Sequence, residues 1–221
     1  MHFAVHYEGQ LNNDALAAQM LQSLESDYAE LSRDLELSPS EPITVVIYSK
    51  KPFFDVTQAP AWAGGMYDGK LRITVEGLES VTPELARVLK HELTHSFLAL
   101  LTGQRCPGWL QEGLAQAFEP RSLPVPGHML AQVFEQKKQI PLQQLRGTFS
   151  GLNRTQAAVA YSESLAAVQY LQSRFAISGI QDILQRISAG NSAEQALQAV
   201  TGMDYDDLEK NVGAYLRETY P

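Results

Sequence analysis

The residues whose types and spacing could do chemistry are His91, Glu92 and His95, in the stretch His-Glu-Leu-Thr-His. Residues four apart on a helix lie one above the other on the same face, so the two imidazoles can converge on one metal ion. Glu92 is turned by about 100° from His91. Its carboxylate would therefore lie beside the metal, where it can accept a proton from a water molecule that the metal holds. The spacing predicts a catalytic zinc site with its own general base.

The flanking sequence predicts the helix that must position these side chains. Thr82 is a favourable N-cap, Pro83 suits the first helical position, and Gly103 is a suitable stop. Apolar residues recur between them at the spacing of a buried helix face, at Leu85, Val88, Leu89, Phe97, Leu100 and Leu101. We therefore expect one helix over Thr82 to Thr102.

The third metal ligand distinguishes the classes of zinc peptidase. One class has a glycine three residues after the second histidine and a third histidine three residues later. Leu98 and Leu101 hold those places here, which excludes that class. Glu112 lies on a predicted short helix, Trp109 to Glu119, that ends at Pro120 and is rich in apolar residues. A buried carboxylate needs a cation, so we expect Glu112 to be the third ligand; the alternative is an ordinary surface glutamate.

The two motifs, HELTH and PGWLQEGLAQ, resemble the gluzincin zinc peptidases, specifically the peptidase MA-like domains with an HExxH and WLxEGLA signature. Further stretches resemble the same domains: Ala63 to Gly69 upstream, Tyr161 to Leu171, and the tail from Gly190 to Glu209. The resemblance covers most of the chain. It implies a zincin-like fold, one catalytic Zn2+ held by His91, His95 and Glu112, and a peptide or protein substrate.

The resemblance also implies a donor for the oxyanion that forms during peptide hydrolysis. Tyr161 occupies the corresponding helix position, and its phenol can donate a hydrogen bond without carrying a charge. The alternative is that Tyr161 packs inside the helical part of the chain. His128 is a weaker rival for the same role, and Gln116, one turn after Glu112, is a candidate for orienting the ligands.

The remaining sequence predicts an α+β fold with a small mixed β-sheet and long helices, followed by an all-helical part. The predicted elements before the metal helix are a strand His2 to Glu8, a helix Asn12 to Leu37, a central strand Ile43 to Tyr48, a short helix or loop Lys50 to Val56, and a hairpin turning at Asp68-Gly69. We expect residues 1–221 to form a single zincin-like domain. Its sheet-containing lobe would span about 1–103 and its helical lobe about 104–221, with the zinc cleft between them.

The hairpin bears on substrate binding. An exposed edge strand can pair with an extended peptide through main-chain hydrogen bonds. We expect either Gly64 to Tyr67 or Lys70 to Val75 to supply such an edge. A fully internal hairpin, or a bulge at Gly64-Gly65, remains an alternative.

Composition excludes several classes of function. The net charge is −8, from 17 basic and 25 acidic residues, and without a basic cluster a nucleic-acid surface is not expected. Cys106 is the only cysteine, which excludes a disulfide scaffold. No apolar run is long enough to span a membrane. The chain begins with a predicted strand and no signal peptide, so we expect a piece of a longer protein, and the compartment is left open. The resemblance to peptidase MA-like domains, which often follow helical repeats, implies such repeats upstream.

Two functions are consistent with these residues. The first is a gluzincin-type zinc peptidase in which Glu92 is the general base. The second is a catalytically idle, zinc-stabilised peptide-binding module within a larger repeat-containing protein. A structural zinc site is usually closed by a fourth protein ligand, for which Cys106 is the nearest candidate, and it has no need of Glu92. The presence of Glu92 therefore favours the peptidase.

Overall fold

The structure, a computed structural model, describes residues 2–8, 13–60, 63–75, 77–119 and 123–221. These residues form an α+β fold with one mixed four-stranded sheet and eight α-helices among them. The chain divides into two compact units, Met1–Leu100 and Leu101–Pro221. The α+β class is as predicted, whereas the single domain and the zinc cleft stay predictions.

The first unit contains the sheet. Its elements are β1 (Phe3–Glu8), α1 (Asp14–Asp34), β2 (Ile43–Tyr48), α2 (Lys50–Thr57), β3 (Gly65–Tyr67) and β4 (Leu71–Thr74), followed by α3 (Pro83–Thr102). The strand order is β1-β2-β4-β3. The pairs β1–β2 and β2–β4 are parallel, and β3–β4 is antiparallel. The run of β-branched residues in β2 therefore forms an interior strand, as its sequence predicts.

Helix α1 buries one amphipathic face in the core of this unit. The buried positions recur at helical spacing, at Leu16, Met20, Leu24, Tyr28 and Leu31, as expected. The helix is shorter than predicted at its C-terminal end, because Glu36 has a left-handed backbone (φ 51°) that ends it. The predicted first residue, Asn12, lies outside the described residues; Asn13 caps the helix, its side chain accepting a hydrogen bond from the Leu16 N–H at 3.0 Å.

The hairpin forms as predicted, and one of its strands is an edge of the sheet. Gly69 has a φ of +97° in the turn, a conformation that glycine adopts at little cost. Gly65 pairs in regular register with Ile73, so no bulge is present there. Strand β3 has a neighbour on one side only, whereas β4 is interior. The segment Lys50–Thr57, which could have been a loop, is helical.

The second unit is helical throughout. Its elements are α4 (Gly108–Phe118), α5 (Gly127–Glu135), a short 3-10 turn (Phe149–Gly151), α6 (Arg154–Ser188), α7 (Ala193–Thr201) and α8 (Tyr205–Thr219). Helix α6 packs against α4, α7 and α8. Ser192 and Gln195 form a capping box at the start of α7. Non-helical backbone angles at Ala176 divide α6.

Among the described residues, no helix is long and apolar enough to cross a membrane.

Candidate metal centre

Helix α3 begins and ends where its sequence predicts. The Thr82 hydroxyl accepts a hydrogen bond from the Leu85 N–H at 3.1 Å, which satisfies one donor of the first turn. Gly103, with a φ of +59°, terminates the helix. The helix therefore extends without interruption through the two histidines.

Contacts within the first unit hold α3 against α1. Lys90 Nζ lies 2.7 Å from Glu30 Oε2 and 3.6 Å from Asp27 Oδ1. Burial raises the pKa of Asp27, and the positive charge of Lys90 opposes that shift. The rings of Phe97 and Tyr28 meet edge to face with centroids 5.3 Å apart. Because Lys90 immediately precedes His91, these contacts fix the turn of helix that carries the first histidine.

The two histidines converge as their spacing predicts. The Nε2 atoms of His91 and His95 are 3.1 Å apart. Their ring centroids are 4.7 Å apart with an angle of 78° between the rings. Both side chains are half-buried. Two ring nitrogens at this separation present lone pairs to one small volume, as a single metal ion requires.

Close packing within the second unit positions the helix that carries Glu112. A Cβ atom added at Gly113 would lie 2.4 Å from the Ser164 carbonyl oxygen, so only glycine permits α4 to approach α6 this closely. Trp109 is buried and meets the Tyr205 ring edge to face, with centroids 5.9 Å apart. Trp109 therefore anchors α4 by packing. These contacts place Glu112 on a rigid helix.

The donor atoms of His91, His95 and Glu112 all lie within 4.8 Å of one another. They are the one group of three such residues found in the described part of the chain that could hold a metal ion. Two imidazole nitrogens and one carboxylate oxygen form a donor set of catalytic zinc sites, with bonds of about 2.0–2.2 Å and a fourth position left open. Tetrahedral ligands at that distance lie about 3.4 Å apart, close to the separation of the two Nε2 atoms. The residues fit a zinc ion.

Glu92 is buried and does not belong to this donor group. Its side chain packs in the first unit against strand β3: a Cβ atom added at Gly65 would lie 2.8 Å from Glu92 Cγ and 3.1 Å from Oε1. The carboxylate is therefore adjacent in sequence to a candidate ligand yet turned toward the sheet edge, as the rotation of about 100° per residue predicts.

Gln116 links the backbones of two candidate residues. Its side-chain N–H group donates to the carbonyl oxygens of Glu112, at 3.0 Å, and Tyr161, at 2.9 Å. Tyr161 itself is half-buried, and its ring meets that of Phe149 edge to face at 5.2 Å. Gln116 thus positions backbone rather than the ligand oxygens, and the catalytic role of Tyr161 stays a prediction.

The other candidates lie elsewhere. Cys106 is buried, burial raises the pKa of its thiol, and it does not belong to the donor group. Its position outside the donor group gives no support to Cys106 as a fourth ligand. His128 is exposed on α5.

Two functional neighbours were not foreseen from sequence. One is the ion-pair cluster around Lys90, whose partners on α1 are about 60 residues away. The other is the contact of Gly65 with Glu92. The adjacent pair Gly64-Gly65 beside a strand was the only signal for the latter, since a glycine in a strand often marks a close approach.

The fold and the donor group belong with one family. The family model of the Peptidase MA superfamily matches residues 23–218, which span nearly the whole chain from within α1 to the last turn of α8. The chain belongs to the Peptidase MA superfamily. No curated protein matches it at a significant level.

Proposed function

We propose that this protein is a zinc-dependent peptidase of the gluzincin type. The observation that carries the proposal is the convergence of His91, His95 and Glu112 while Glu92, on the same helix, stays outside the donor group. When bound, zinc would supply a Lewis acid that acidifies water and polarises the substrate carbonyl. Three protein ligands leave room for that chemistry, whereas a purely structural site is closed by a fourth.

Glu92 is the general base in this proposal. Its carboxylate is buried, and it follows the candidate ligand His91 on the same helix. It would accept the proton of the attacking water and deliver it to the amine that leaves. A non-catalytic zinc module would have no use for a charged side chain at this buried position.

Tyr161 is the proposed hydrogen-bond donor to the developing oxyanion. Tyr161 lies on α6. Its backbone carbonyl accepts a hydrogen bond from the Gln116 side chain, which connects it to α4, the helix that carries Glu112. A phenol donates without introducing a positive charge beside the metal.

Strand β3 is the proposed docking edge for the substrate backbone. It is an edge of the described sheet, and Gly65 at its start packs against the side chain of Glu92. An extended peptide that added to this edge would be held by main-chain hydrogen bonds. Such binding selects an extended backbone and leaves specificity to side-chain pockets.

The second candidate is a zinc-stabilised peptide-binding module without activity, within a longer repeat-containing protein. The same edge strand favours it, because binding by strand addition needs no catalytic base. The two candidates differ in one observable, which is turnover.

The deciding experiment is digestion of a mixed peptide library by zinc-loaded protein, with Glu92→Gln in parallel. We expect cleavage by the parent, and loss of about 10²–10⁴-fold in the variant with zinc retained. Glu163→Gln is the matched control, because it makes the same change at another buried glutamate. Cuts that persist undiminished in Glu92→Gln would remove Glu92 as the base, and binding of peptides without any cuts would favour the module.

A further inference from the structure

Strand β3 and helix α3 approach each other more closely at Gly65 than any side chain would allow. A Cβ atom added there would lie 2.8 Å from both Glu92 Cγ and Val88 Cγ1, and 3.1 Å from Glu92 Oε1. Carbon atoms in good contact are about 3.5–4.0 Å apart. The hydrogen atom of Gly65 thus leaves a space that the Glu92 side chain occupies.

The requirement at Gly65 is steric rather than conformational. Its φ lies outside the left-handed region, and it pairs in regular register with Ile73. Any residue could adopt this backbone. Strands favour β-branched and aromatic residues. The glycine is therefore explained by the side chains of Glu92 and Val88, which leave no room for a Cβ atom.

The alternation of side-chain directions along β3 also indicates that Gly65 faces α3. Met66 packs with Val46, Tyr48 and Phe53 on one face of the sheet. Gly65, the preceding residue, therefore points to the other face, toward α3. Strand β3 thus places the Met66 side chain against Phe53 of α2 and places Gly65, which has no side chain, against Glu92.

We propose that Gly65 is a positioning residue for Glu92: the bare strand backbone forms one wall of the space that holds the carboxylate. This inference rests on the proposed function, since it assigns a purpose to the position of the base. Gly65 belongs to the edge strand and contacts Glu92, so a peptide added to that edge would pair with the same strand that positions the base. A displacement of about 1 Å in such a group can cost about 100-fold in rate.

The adjacent glycine supplies a matched control. A Cβ atom added at Gly64 would lie 3.1 Å from Val88 Cγ2 and would meet no atom of Glu92 within its three nearest contacts. Gly64→Ala therefore adds the same methyl group to the same segment against Val88 alone. The double variant Gly65→Ala/Val88→Ala removes the contact with Val88 and keeps the one with Glu92.

The test compares these variants in zinc content, peptide cleavage and crystal structure. We expect Gly65→Ala to keep one zinc per chain, to lower kcat by about tenfold or more relative to Gly64→Ala, and to change KM by less than about threefold. Its crystal structure should have the Glu92 carboxylate displaced, and that of Gly64→Ala should not. The double variant should remain as slow as Gly65→Ala.

Two results would overturn the proposal. One is an unmoved Glu92 side chain in the Gly65→Ala structure. The other is recovery of kcat in the double variant, which would assign the loss to a strand pushed aside by Val88. Failure of the proposed function itself is distinguishable, because it would appear as absence of cleavage by the parent protein while the structural comparison of Glu92 could still be made.

Discussion

Two buried glutamates lie on two long helices of this protein, Glu92 on α3 and Glu163 on α6, with 7% and 2% of their surfaces exposed. Both interrupt runs of apolar residues, where a buried charged group needs a partner nearby. The side chains around them differ, and so do the roles we assign to them.

Glu163 holds a loop. Its two carboxyl oxygens accept a hydrogen bond from the Ile140 N–H at 3.1 and 3.2 Å. Glu209 on α8 accepts from the Leu142 N–H at 2.7 Å in the same way. Burial, supplemented by the charge of Glu209, raises the pKa of Glu163 to about 8. The carboxyl therefore serves the backbone of residues 140–142, and it is held mostly neutral near pH 7.

Glu92 directly follows a candidate metal ligand, His91, in the sequence. In space, its side chain packs directly against the backbone of strand β3 at Gly65, since a Cβ atom added there would lie 2.8 Å from Glu92 Cγ. The comparison teaches that burial alone does not identify a catalytic carboxylate. What distinguishes the two residues is their neighbours: loop amides for Glu163, and for Glu92 an adjacent residue, His91, that is a candidate metal ligand.

The largest effect expected is loss of the metal. Replacing His91 or Glu112 by alanine removes one of three ligands, and we expect zinc and all cleavage to be lost together. Glu163→Gln should keep full zinc stoichiometry, since Glu163 does not belong to the donor group. Elemental analysis of the purified variants measures this directly. Full zinc in His91→Ala or Glu112→Ala would contradict the assignment of that ligand.

The pH dependence of the free energy of unfolding tests the role of Glu163, the second buried glutamate. Because the pKa of Glu163 is raised in the folded state, the folded protein binds its proton more tightly than the unfolded chain does. Stability from this group is complete below about pH 4.5 and is lost as pH rises toward about 8. Glu163→Gln should remove that loss and stabilise the protein at pH 8, by an amount on the order of a few kcal/mol at most.

Chemical denaturation of the parent and Glu163→Gln at pH 5 and pH 8 tests this expectation. The gap between the two proteins should widen from the lower pH to the higher. An equal gap at both values would mean that Glu163 is not titrating in this range.

The smallest effect expected concerns Tyr161. Replacing it by phenylalanine keeps the ring contact with Phe149 and removes only the proposed donor to the oxyanion. We expect kcat to fall by about 10–100-fold, less than the loss of a full oxyanion-hole donor in a well-studied protease, with zinc content unchanged. Steady-state kinetics on a peptide identified from the library gives the value. A parental kcat would leave Tyr161 with a packing role alone.

Much of the fold could be read from local patterns. The bounds of α3 follow from Thr82 and Gly103, and those of α7 from Ser192 and Gly202, because caps and left-handed stops act within one turn. Strand β2 was predicted from its β-branched run, and the hairpin from Asp68-Gly69. These features depend on neighbours in sequence, so no knowledge of the tertiary structure was needed.

The sequence by itself therefore determined the pairing of His91 with His95 and the turn of Glu92 away from them, since helix geometry alone relates residues one and four apart. Only the tertiary structure decided which strand became the edge, what Lys90 pairs with, and why residue 65 must be glycine. Each of these depends on groups brought together from distant parts of the chain, and the neighbouring residues in sequence do not indicate such contacts. The membership of Glu112 in the candidate donor group is of the same kind, because its spacing from the histidines along the chain does not determine it.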